Sequence, residues 1–124
     1  MARCDDQFAI MQLITQADQL AGQKDAKGYV ALFAEDGAIE GTQGQATGHE
    51  ALMEMVQRVW QQEGQTLHLT SSVVIQSLTA NTATATSILV IVEVTSRQIV
   101  SLAQVTHQLE QIKGQWLFTK RSIQ

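Results

Sequence analysis

The apolar pattern of this chain changes period once, at Gly64, and that change limits the fold more than any other feature. Before it, apolar residues recur three and four positions apart; after it they alternate or run in β-branched stretches. Helices first and strands afterwards is the α+β order. The expected architecture is three N-terminal helices packed on a curved, mostly antiparallel sheet. The trough between the layers is a natural internal pocket. No linker, low-complexity block or repeat divides the 124 residues, so 1-124 reads as a single domain.

The first helix is expected over Asp5–Ala21, where Ile10, Leu13, Ile14, Ala17, Leu20 and Ala21 form one stripe. Gly22 is its expected left-handed stop. Asp25 can cap a second helix through about Ala34, with Tyr29, Leu32 and Phe33 inward. Asp36-Gly37 reads as a turn, Ala38–Glu40 as a short strand and Gly41–Gly48 as a loop. Thr47-Gly48-His49-Glu50 fits a capping box, opening a third helix from about Gly48 to Gln62. Its stripe is Leu52, Met53, Val56, Val59 and Trp60. Strands are then expected over Thr66–Leu78, Thr82–Val94, Gln98–Gln111 and Gln115–Ile123, with a tight turn at Lys113-Gly114.

Charge removes several functions. The net charge is −4, with four Lys/Arg against nine Asp/Glu in residues 1–62. No basic cluster suggests nucleic acid, and no polybasic or roughly 20-residue apolar segment suggests a membrane. Acids stand where a signal peptide places its apolar stretch, so a cytoplasmic location is expected. The lone Cys4 permits no intrachain disulfide, and nothing resembles a phosphate loop, Gly-x-Ser-x-Gly or His-Glu-x-x-His. No cofactor is therefore expected.

The order of elements and several strings resemble the SnoaL-like branch of the nuclear transport factor 2-like superfamily. Asp25–Gly37 is similar to that family's second helix and exit strand, Gly48-His49-Glu50-Ala51-Leu52 to its third helix, and Leu67-His68-Leu69 with Asn81–Ser87 to its central hairpin. Gly114-Gln-Trp116 and Lys120-Arg121 resemble its ending. The resemblance implies a cone-shaped fold shared by ketosteroid isomerase, polyketide cyclases, dehydratases and many binders. Val30–Asp36 is similar to the isomerase, yet on ungapped matching the oxyanion tyrosine falls at Ala17 and the base at Gly41. Neither can do that chemistry. Alternation should also turn the neighbouring Glu40 away from the pocket.

The resemblance further implies a pocket-facing acid about nine residues before the last tryptophan, and counting back from Trp116 gives His107. Imidazole can act there as acid or base. It is flanked by Val105 and Leu109, so a hydrogen-bonded core histidine is the structural alternative. His68 is a candidate partner across the trough, or a strand-end histidine near solvent. These two are the candidate catalytic residues. The expected ligand-binding set is His107, His68, Trp60, Tyr29, Met53 and Phe33, with ordinary helix-to-sheet core as the alternative for the apolar members. Two isolated histidines make no metal site, since Glu40, the most plausible third ligand, turns away. His49 is expected at the surface.

The expected function is binding of a small hydrophobic ligand in an apolar pocket. The alternative is a cofactor-independent isomerase, cyclase or dehydratase using a pocket histidine. Two titratable groups meeting in an open cavity favour the enzyme; a lone histidine among aliphatics favours the binder. In the second strand after Gly64, Leu89 and Ile91 have one parity and Ile88, Val90, Val92 and Val94 the other. The face turned from the helices should then carry an apolar patch, which a homodimer through the sheet would cover.

Overall fold

A computed structural model describes residues 2–124. The helices are α1 (Ala2–Gly22), α2 (Ala26–Val30) and α3 (His49–Glu63). The strands are β1 (Phe33–Gly41), β2 (Gly44–Thr47), β3 (Thr66–Leu78), β4 (Thr82–Glu93), β5 (Ile99–Ile112) and β6 (Gln115–Ile123). They form one sheet in the order β2-β1-β6-β5-β4-β3. Neighbours run antiparallel except β1 with β6. No helix among the described residues is long and apolar enough to cross a membrane.

The core lies between the helices and one face of the sheet. Ile10, Leu13, Ile14, Ala17 and Ala21 bury the expected α1 stripe against it. In β4 and β5 the odd-numbered residues Ala83, Ala85, Ser87, Leu89, Ala103, Val105, His107 and Leu109 are buried, as a period of two requires. Tyr29 stacks edge-on to Trp60 and tilted to Phe33, with centroids 5.1 and 5.4 Å away. These rings tie α2 and α3 to the start of β1.

Several local expectations are corrected. Helix two stops at Val30, because Phe118 N–H donates to the Leu32 carbonyl at 3.0 Å and Phe33 pairs with Phe118. The backbone of Phe33–Gly37 is thereby drawn into β1. Residues 41–48 are not all loop: Gly44–Thr47 folds back on Ala38–Gly41 as an edge strand. Thr47 is held in that ladder and caps nothing; Gly48, at φ 89°, is the N-cap of α3. Gly22 remains helical and the left-handed residue is Lys24, at φ 62°. Gly22 instead permits close approach: a Cβ there would stand 3.2 Å from the His68 amide nitrogen.

Register shifts in β3 and β6 decide which side chains face inward. Ser72, at φ 55°, lies in a bulge where the β3 register shifts between Ser71 and Val74. Thr66, His68 and Thr70 therefore face the helices before it and Ile75 after it, and a second shift between Ile75 and Ser77 turns Leu78 inward as well. In β6 the register shifts opposite Gln108 and Leu109, which pair with Lys120 and Phe118. Phe118 and Arg121 thus both point inward, while Lys120 pairs with Glu40 at 3.1 Å.

Candidate functional site

A cavity of about 650 Å³ opens between α1, α2, α3 and the sheet. Its apolar wall includes Ile39, Met55, Val56, Val59, Trp60, Leu89 and Ile91. Its polar wall holds Asp18, Tyr29, Glu63, His68 and Arg121. That volume suits a small-molecule site, for which roughly 300–1,000 Å³ is usual.

Arg121 is the centre of the polar wall. It is 1% exposed, yet charged, because three elements supply its partners. Nη2 donates to Asp18 Oδ1 of α1 at 2.9 Å, Nη1 to Tyr29 Oη of α2 at 2.8 Å, and Nε to His107 Nδ1 of β5 at 3.4 Å. Asp18 Oδ2 also accepts from the Thr70 hydroxyl. Burial alone would lower the Arg121 pKa, but Tyr29 and Asp18 outweigh it and hold it above its usual value. Burial pushes the Tyr29 phenol up, against the pull of Arg121. Two Arg121 N–H groups and the Tyr29 O–H proton have no acceptor among the described residues.

A second cluster sits where α3 ends and β3 begins. His68 Nε2 is 2.6 Å from Glu63 Oε1. The same oxygen accepts from the Thr66 hydroxyl and, at 3.0 Å, from Lys24 Nζ. Burial would raise the Glu63 carboxyl, but these hydrogen bonds from His68, Thr66 and Lys24 bring it down to about 2. An ionised carboxylate only accepts, so Nε2 carries the His68 proton. In the neutral ring Nδ1 is then the acceptor. It has no partner among the described residues, and it is not sealed off, since no enclosed side-chain nitrogen or oxygen lacks one.

The two clusters are adjacent. Thr70, which donates to Asp18, is two residues along β3 from His68 on the same face. Their side chains are therefore about 7 Å apart by strand geometry.

The sequence candidates fall into two groups. His68, Tyr29 and Trp60 line the cavity. His107, Phe33 and Met53 do not: His107 is fully buried beneath Arg121, Phe33 lies against Phe118, and Met53 packs at the side of α3. His107 accepts from Arg121 at Nδ1, so its Nε2–H donates to Ser87 Oγ at 2.8 Å. Burial and the neighbouring guanidinium push its pKa down to about 2. His49 is exposed, with Nε2 2.9 Å from the Phe33 carbonyl. Met55 rather than Met53 reaches the cavity, as the 200° between them on a helix dictates.

Asp18, Glu63 and Arg121 escaped the sequence reading. Asp18 had a signal: it sits four residues after Ile14, inside the buried stripe, and an acid there requires a partner. Arg121 stood only within the Lys120-Arg121 ending, with nothing to choose it, because strict alternation from Trp116 and Phe118 points Lys120 inward instead.

The profile of the SnoaL-like domain matches residues 2–122. The chain belongs to the SnoaL-like family. Solved structures share its NTF2-like, cystatin-like fold. A Nostoc punctiforme protein of unknown function is 29% identical over 95% of this chain and 89% of its own, with a TM-score of 0.87. ActVI-ORFA from Streptomyces coelicolor is 17% identical, covering 98% and 95%, at 0.85. A putative scytalone dehydratase from Novosphingobium aromaticivorans is 17% identical, covering 98% and 85%, at 0.81. No match is found among curated proteins.

Within this SnoaL-like fold, the two positions matched to the isomerase hold no usable group. Ala17 is buried in the core. Gly41 lines the cavity, but a Cβ there would stand 2.6 Å from the Ile123 carbonyl oxygen. An aspartate at 41 does not fit this backbone.

Proposed function

We propose that this SnoaL-like chain is a cofactor-independent proton-transfer catalyst of the isomerase, cyclase or dehydratase kind, acting on a small carbonyl compound. The observation that carries the reading is His68 Nε2 at 2.6 Å from an ionised Glu63, with His68 on the wall of the cavity that Arg121 and Tyr29 also line. In this reading His68 is the base. Nδ1 takes a proton from the carbon beside a carbonyl, the C–H electron pair forms the C=C bond, and the carbonyl π pair moves to oxygen. Glu63 holds the imidazole's tautomer and faces the imidazolium as it forms. Arg121 and Tyr29 donate to the oxyanion. The proton on His68 then returns to carbon, or leaves with a β-hydroxyl as water. His107, neutral and enclosed, positions Arg121 rather than exchanging protons with a ligand.

The apolar wall supports a second reading, binding without turnover. One experiment separates them. The protein is incubated in D2O with 2-tetralone, an enolisable ketone of suitable size, and α-proton loss is followed by NMR. The catalytic reading expects exchange well above buffer, lost in His68→Gln. Binding without faster exchange leaves the binding role.

We further infer a homodimer through the sheet. Leu67, Leu69, Val74, Ile99 and Leu102 are exposed large apolar residues on β3 and β5. A second copy would cover them.

A further inference from the structure

Resting on the proton-transfer reading and deepening it, we propose that the cavity takes an uncharged carbonyl compound and rejects the matching carboxylate. The argument is one of charge. Two cations and two anions serve the polar wall, and each cation is already held. Arg121 Nη2 is 2.9 Å from Asp18 Oδ1, and Lys24 Nζ is 3.0 Å from Glu63 Oε1. His68 donates Nε2–H to the same Glu63 oxygen at 2.6 Å. The cavity thus offers no unpaired positive charge among the described residues. A carboxylate entering it gives up hydration for a low-dielectric site that lacks a free counter-ion.

A carbonyl oxygen meets the opposite situation. The remaining Arg121 N–H groups and the Tyr29 O–H are donors without acceptors among the described residues, and one oxygen with two lone pairs takes two of the three. Ile39, Val56, Trp60 and Leu89 receive the hydrocarbon body. When the α-proton moves to His68, an enolate and an imidazolium appear together. The total charge of the cavity does not change, so the ion pairs can stay as they are. A bound carboxylate would leave an extra negative charge at every stage.

The test compares 2-tetralone with 2-naphthoate, a carboxylate of matching bicyclic frame, by calorimetry or ligand-observed NMR near neutral pH. The wild type should bind the ketone at least about tenfold more tightly. Asp18→Asn, which frees the Arg121 charge, should narrow or invert that ratio; where this variant does not fold, Glu63→Gln frees Lys24 and serves instead. Equal or tighter binding of naphthoate to the wild type overturns the proposal, as does an unchanged ratio in a folded variant. Preference for the ketone without deuterium uptake removes the proton-transfer reading and leaves the ligand class standing. Binding of neither compound at about 1 mM overturns both.

Discussion

Arg121 of β6 and Asp18 of α1 meet at 2.9 Å with side chains only 2% and 1% exposed, so the helical layer and the sheet are joined by a buried ion pair. Breaking such a pair from one side leaves the other charge buried alone, at a cost of about 3–5 kcal/mol. Asp18→Asn and Arg121→Met should each lower stability to urea by that order. The double variant should lose clearly less than the sum. Strict additivity in the cycle would contradict the pairing.

Acid sensitivity should come in two separable steps. His107 is neutral in the fold down to about pH 2 but protonates near 6.5 when unfolded. Between those values the unfolded chain binds the extra proton, so stability falls as pH falls, by up to about 1.4 kcal/mol per pH unit. Glu63, ionised in the fold down to about 2 against 4.5 normally, adds a second loss that begins only below 4.5. His107→Gln should flatten the stability curve between pH 6.5 and 4.5, and Glu63→Gln only below that. Urea midpoints measured across the range check both windows.

The bulge in β3 gives a conformational prediction. Ser72 holds φ 55° at an exposed position, which costs an ordinary L-residue about 1 kcal/mol and glycine little. Ser72→Gly should leave stability unchanged or raise it by up to about 1 kcal/mol. Ser72→Val should lower it, and should shift the β3 amide resonances if the register slips.

The existence and order of the helices and of the four long strands were legible, because burial imposes its period directly on the sequence. What stayed hidden were features set by neighbours rather than by the local string. Thr47 has the spacing of a capping box, but β1 holds its backbone in a hairpin. Gly22 reads as a helix stop, yet its lack of a side chain serves contact with β3 at His68. The same limit applies to the site. A register shift in β6 turns Arg121 inward, and Glu63 joins His68 only because α3 ends beside the start of β3.

The inferred homodimer gives a simple measurement. Leu69 is 46% exposed on the face turned from the helices and does not line the cavity. Leu69→Lys should convert a dimer into a monomer in sedimentation at roughly 50 µM, without change in far-UV dichroism. A wild type already monomeric there would contradict the inference.

A crystal structure with 2-tetralone bound tests the account of the site most directly. The account predicts the ketone oxygen within about 3 Å of an Arg121 nitrogen or Tyr29 Oη, with the α-carbon turned toward the His68 ring. A ligand found instead at the mouth beside Val100 and Leu102, or in the shallow groove between Phe8 and Trp116, would contradict it.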